Sequence, residues 1–65
     1  MLQYQVSVER YKGRKLAHLP RPIEADRRYP DSVGGDDADF VVWDYYYFTS
    51  ESEANRFYRR INKEA

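Results

Sequence analysis

Residues 41–48 read VVWDYYYF. A strand with one face in the core and one in water alternates apolar and polar residues. This run does not alternate. Val41, Trp43, Tyr45 and Tyr47 share one side, and Val42, Tyr46 and Phe48 share the other. Asp44 is the only charged residue in the run. A strand over 40–48 therefore needs cover on both faces, and a chain of 65 residues has little material to supply it.

The clearest source of cover follows directly. Residues 49–65, TSESEANRFYRRINKEA, predict a helix over 50–64. Ser50 and Glu53 form a Ser-x-x-Glu capping box, in which the hydroxyl and the carboxylate each satisfy an amide at the helix start. Glu51 and Glu53 sit in the positive first turn, and Arg59, Arg60 and Lys63 lie towards the negative end. At about 100° per residue, Ala54, Phe57, Tyr58 and Ile61 fall on one side. One helix covers one face of a small sheet. Asp44 selects the face, because an unpaired carboxylate beneath a helix costs several kcal/mol. The sequence thus places Val41, Trp43, Tyr45 and Tyr47 under Phe57, Tyr58 and Ile61. Phe40, Val42, Asp44 and Tyr46 turn outward, with Phe48 at the end of the same side. A buried pair between Asp44 and an arginine reverses this assignment.

Upstream, LQYQVSVERY alternates cleanly and predicts a strand over 2–10, with Leu2, Tyr4, Val6 and Val8 on one side. Gly13 in Lys12–Gly13 marks a turn. RKLAHL over 14–19 reads as a short returning strand with a poor pattern. Residues 20–39 read as a long irregular loop. Pro20, Pro22 and Pro30 withhold amide donors, and Gly34, Gly35 and the Asp cluster favour turns. The resulting class is α+β: one two-layer domain over 1–65, with an antiparallel sheet of two or three strands packed on a C-terminal helix in the order β-β-β-α. Its open face carries Phe40, Val42 and Tyr46 beside Gln3, Gln5, Ser7 and Glu9. Three covers are available to that face: the loop, through Ile23, Tyr29 or Val33; a second copy of the chain; or a different protein.

A chain this short buries only about 60% of its unfolded surface. It has no cysteine to form a disulfide, and no Cys/His cluster suggests a structural metal. Its 11 aromatic residues supply much of the burial that is available. No stretch has the length or apolarity of a signal peptide or a membrane span, so the expected setting is cytoplasmic and the membrane is not an expected partner. Net charge is zero but segregated: +4 over residues 1–30, −7 over 31–53 and +3 over 54–65. Such blocks either neutralise one another in the fold or mark an interaction surface.

No motif carries catalysis. His18 lies in RKLAHLPRP, which offers no nucleophile or carboxylate neighbour. DSVGGDDAD departs from the ligand spacing of a calcium loop. GRK and VGGDD lack the Walker lysine and the dinucleotide glycine spacing. LPRP is too short to identify a polyproline ligand. The chain reads as a non-enzyme without cofactor or metal.

The helix offers a second reading. Arg56, Arg59, Arg60 and Lys63, at i, i+3, i+4 and i+7, can track phosphates. FTSESEANRFYRRI resembles the final strand-to-helix passage of AP2-type and integrase N-terminal DNA-binding domains. That resemblance implies three strands and a helix, with an Arg- and Trp-rich sheet entering the major groove. It covers fourteen residues and does not confer membership. The first strand here carries Gln3, Gln5, Ser7 and Glu9 in place of arginines, and the acidic block would repel DNA.

The functional expectation is a small non-enzymatic protein-binding module: an adaptor, accessory subunit or inhibitor of a larger complex. Phe40, Val42, Asp44 and Tyr46 would form the contact patch. Asp31, Asp36, Asp37 and Asp39 would steer it towards a basic partner surface. A homodimer through the same face is a further expectation. The alternative is nucleic-acid binding through Arg56, Arg59, Arg60 and Lys63.

Overall fold

The computed structural model describes residues 1–38 and 40–64. Among them, five strands build one antiparallel sheet: β1 (Leu2–Tyr11), β2 (Arg14–Ala17), β3 (Arg21–Glu24), β4 (Ser32–Ala38) and β5 (Val41–Phe48). Helix α1 (Glu51–Glu64) follows. The sheet order is β2-β1-β5-β4, and β3 pairs with the other half of the same β1 edge that β2 occupies. The class is α+β, as the sequence indicates, but the sheet has five strands and not two or three.

The two extra strands lie within the segment expected to be irregular. β3 accommodates Pro22 because of its place in the ladder. The Ala25 N–H donates to the Met1 carbonyl at 3.2 Å, so alternate residues pair inward and Pro22 falls where an amide would point away from β1. β2 and β3 act together as one interrupted partner of β1. Val8 faces Ala17 and Gln5 faces Arg21, so residues 18–20 oppose only Val6 and Ser7. That is a one-residue bulge, and the His18 N–H holds it to the Ser7 carbonyl at 2.8 Å.

β4 carries a second bulge. Val33 faces Tyr45 and Asp36 faces Trp43, so Gly34 and Gly35 together oppose Asp44. Gly35 has φ +92°, a conformation that glycine adopts without steric cost. A Cβ on Gly34 would lie 2.8 Å from the Asp44 Oδ1.

Both two-residue hairpin connections lie at the same end of the sheet. Lys12 (φ 50°) and Gly13 (φ 78°) join Tyr11 to Arg14. Two positive φ values are what a type I′ turn demands, because it matches the twist of the flanking strands. At that end Ala38 faces Val41, and Phe40, just before Val41, has φ 70°.

The core is small. Val6, Val8, Ala17 and Ala54 are buried, and Tyr4, Tyr46, Phe48, Phe57, Tyr58 and Ile61 pack around them. Helix α1 lies over β2, β1 and β5. Its Phe57 ring meets Tyr46 at 4.6 Å and Phe48 at 5.3 Å between centroids. Asn62 fastens the far end. Its Oδ1 accepts from the Ala17 N–H at 2.8 Å, and its Nδ2 donates to the Ala17 carbonyl at 3.0 Å. No described helix is long and apolar enough to cross a membrane.

Ser50 caps α1. Its hydroxyl accepts from the Glu53 N–H at 3.4 Å, and its carbonyl accepts from the Ala54 N–H at 3.1 Å. Ser50→Ala should cost about 1 kcal/mol. In a domain of this size that lowers the melting temperature by roughly 4–8 °C. A thermal melt followed by circular dichroism at the helix band measures it; an unchanged midpoint would remove Ser50 from the cap.

Candidate protein-interaction surface

The register of β1 against β5 settles which side of β5 faces the helix. Val6 pairs with Tyr46, Tyr4 with Phe48 and Val8 with Asp44. Val6 and Val8 are core residues, so Val42, Asp44, Tyr46 and Phe48 turn towards α1. This reverses the face expected from sequence. The physical reason is a charge pair. Arg10 Nε donates to Asp44 Oδ2 at 2.6 Å, and its Nη2 reaches Oδ1 at 3.4 Å. Arg10 faces Val42, one diagonal step from Asp44. The Asp44 side chain is only 13% exposed, yet it is not unpaired. Val42, Asp44 and Tyr46 are therefore not an outward patch; Tyr46 packs on Phe57.

The hydrogen bond from Arg10 holds the Asp44 carboxyl below its ordinary pKa, against the opposing effect of partial burial. The Arg10 charge and the Gly35 N–H lower it further. The same bond raises the Arg10 guanidinium. An unfolded carboxyl takes its proton near pH ~3.9; the folded Asp44 takes it only at lower pH. Through that window the unfolded state binds more protons, so stability is present above it and falls as pH falls. Asp44→Asn should remove this part of the acid sensitivity. Urea midpoints between about pH 5 and about pH 3 should decline less steeply in the variant than in the parent. Equal slopes would show that Asp44 carries none of the acid response.

The helix-free face is built by Val41, Trp43, Tyr45 and Tyr47, flanked on β1 by Gln5, Ser7 and Glu9. The chain covers two of its rings. Tyr29 stacks on Tyr47 at 4.8 Å, and His18 stacks on Trp43 at 5.4 Å. Gln3, only 1% exposed, anchors the first cover. Its Oε1 accepts from the Tyr29 N–H at 2.8 Å, and its Nε2 donates to the Tyr29 carbonyl at 3.3 Å. Gln5 donates to the Tyr47 hydroxyl at 2.9 Å. Glu9 meets His18 Nε2 at 3.1 Å and so holds the second cover. Of the covers expected from the loop, Tyr29 lies over a ring. Ile23 faces Gln3 from β3, and Val33 faces Tyr45 from β4.

Exposed apolar side chains are spread over the molecule, with Leu19 at 71%, Met1 and Leu2 at the start of β1 and Val33 on β4; the most exposed ring stands at the double-hairpin end. Phe40 is 90% exposed at the tip of the β4–β5 connection. Tyr11 and Leu16, both exposed, lie on the neighbouring hairpin. Asp31 is 89% exposed at the base of β4, 3.6 Å from Arg28. Asp36 and Asp37 stand opposite Trp43 and Val42 in register. Their side chains lie outside the described residues, as does the whole of Asp39. The acidic segment is thus mainly a strand at the sheet margin and not an irregular loop. Across the sheet, Arg14, Lys15 and Arg21 occupy β2 and β3, so the charge blocks sit at opposite margins. Among the described residues, Arg10–Asp44 and Arg28–Asp31 are the only pairs joining the first block to the acidic one.

Arg56, Arg59, Arg60 and Lys63 are all exposed on the outer side of α1. Arg60 lies 5.6 Å from the centre of the Phe57 ring. Sequence reasoning named Tyr29 as a cover but missed Arg10, which turns Asp44 inward, and Gln3, which anchors Tyr29. A pairing register is the only signal that finds them. No family model, curated protein or solved structure matches the chain.

Proposed function

We propose that the chain is a small non-enzymatic protein-binding module whose anchor is Phe40 and whose acidic β4 margin steers it onto a basic partner surface. The observation that carries this reading is the state of Phe40: 90% exposed, with φ 70°. A bulky residue at positive φ is an outlier, costing of order 1–2 kcal/mol. A two-residue hairpin connection would be more stable with Asn or Gly at this position. The ring buries almost nothing within the fold, so it contributes little to its own domain. Large rings at a protrusion, with exposed Tyr11 and Leu16 on the neighbouring hairpin, have the chemistry of interface anchors. The acids would raise the association rate with a basic surface more than they would deepen affinity.

The basic helix face supports a second reading, nucleic-acid binding. None of Arg56, Arg59, Arg60 and Lys63 has an acidic partner among the described residues. A photoreactive phenylalanine analogue at position 40, compared with one at Arg56, separates the two. The first reading expects one discrete protein adduct from position 40 in cells, competed by the unmodified chain and not by Phe40→Ala. Nucleic-acid adducts from position 56, lost with rising salt, would replace it with the second.

A further inference from the structure

A strand at a sheet margin presents a row of unpaired backbone N–H and C=O groups. The margin formed by β2 and β3 is closed in part. Asn62 takes both backbone groups of Ala17, and Pro22 has no amide to offer at its outward position. The β4 margin differs. The Tyr47 N–H donates to the Asp31 carbonyl at 3.0 Å, so Asp31 and Val33 pair inward and the N–H and C=O of Ser32 turn away from β5. Beyond the bulge, Asp36 and Ala38 pair with Trp43 and Val41, which point the same way along β5 as Tyr45 and Tyr47, so the backbone of Asp37 turns away. Among the described residues, helix α1 packs on β2, β1 and β5 and not on β4.

We infer that β4 is a docking edge that takes an extended basic segment of a partner protein as a further strand of the sheet. Main-chain hydrogen bonds supply affinity in this mode, and flanking side chains supply selectivity. The β4 sequence carries Asp36 and Asp37 and no Lys or Arg, and Asp31 precedes it. A second copy's β4 would set acid against acid, which disfavours self-pairing. The far margin of another copy is a poorer partner despite its Arg14, Lys15 and Arg21, because Asn62 takes both backbone groups of Ala17 and Pro22 has no amide, so its outward ladder is interrupted. A lysine- or arginine-bearing strand of another protein meets the edge with opposite charge. This inference rests on the protein-binding reading above but uses backbone groups of β4 instead of the Phe40 ring.

The probe is a capped peptide of alternating Lys and Val, matching the 7 residues of β4. In amide-resolved NMR its addition should shift the Ser32 and Asp37 amides and slow their deuterium exchange at least about tenfold, as a new ladder requires. Affinity should fall as salt rises from about 0.05 M to about 0.3 M. Ser32→Pro removes one outward donor without touching the β4–β5 ladder. It should abolish binding while the melting curve is retained. A Glu/Val peptide should not bind. Shifts confined to β3 or α1, unprotected Ser32 and Asp37, or full binding by Ser32→Pro would overturn the inference. The two proposals fail separately. A partner cross-linked at position 40 that ignores Ser32→Pro removes the edge and keeps the module. A peptide that pairs with β4 while no partner protein is captured at position 40 keeps the edge and removes the anchor.

Discussion

Phe57→Ala should bring the domain close to unfolding at ordinary temperature. The ring is the hub of the interface between helix and sheet, 4.6 Å from Tyr46 and 5.3 Å from Phe48. Truncating a phenylalanine in a core costs about 3–5 kcal/mol. Phe57 is half-buried, so the low end applies, about 3 kcal/mol. A domain of this length has only roughly 3–10 kcal/mol in total, at ~0.05–0.15 kcal/mol per residue. At roughly 4–8 °C per kcal/mol, the midpoint should drop by some 12–24 °C. Four buried side chains form the core, so few neighbours can relax into the gap. Phe57→Leu keeps most of the volume and should lose less than half as much. A midpoint within about 5 °C of the parent for Phe57→Ala would mean that the sheet holds without its helix. The helix would then be an attachment and not a layer of the core.

How far sequence carries the fold depends on what each element is made of. β1 is legible because its alternation is local and strict, and the buried Val6 and Val8 fall on the side that alternation assigns. The turn at Lys12–Gly13 and the cap at Ser50 are legible because each needs one residue type at one position. β3 and β4 are not legible. RPIE and SVGGDDA have the composition of loops, and they are strands because a neighbour offers a ladder to pair with. The face of β5 fails for a sharper reason. The cost of burying Asp44 is real, but Arg10 meets it from 34 residues away. Charge pairing across a sheet is a property of register, and register is not printed in either strand. The same holds for the candidate interaction surface. Phe40 belongs to the expected patch and is exposed, whereas Val42, Asp44 and Tyr46 change sides with the register.

Phe40→Gly should raise stability and destroy binding. Glycine adopts φ 70° without the Cβ clash, which relieves about 1–2 kcal/mol. Its greater freedom in the unfolded chain returns about 0.5–1 kcal/mol of that gain. The net effect is a stabilisation of up to roughly 1.5 kcal/mol, or a midpoint higher by up to roughly 12 °C. Little packing is lost, because the ring is 90% exposed. Phe40→Ala keeps the backbone strain and removes the ring, so its midpoint should stay near the parent. Both variants should weaken the partner captured at position 40 by about 30-fold or more, since an anchor residue is worth at least ~2 kcal/mol at an interface. The two measurements must move in opposite directions for the reading to hold. A Phe40→Gly variant that melts below the parent would mean that the ring supports its own domain. A variant that melts higher and still binds at full strength would move the anchor to Tyr11 and Leu16, the exposed pair on the neighbouring hairpin. Only a gain in stability joined to a loss of binding identifies Phe40 as a residue kept at the expense of the fold for the sake of a partner.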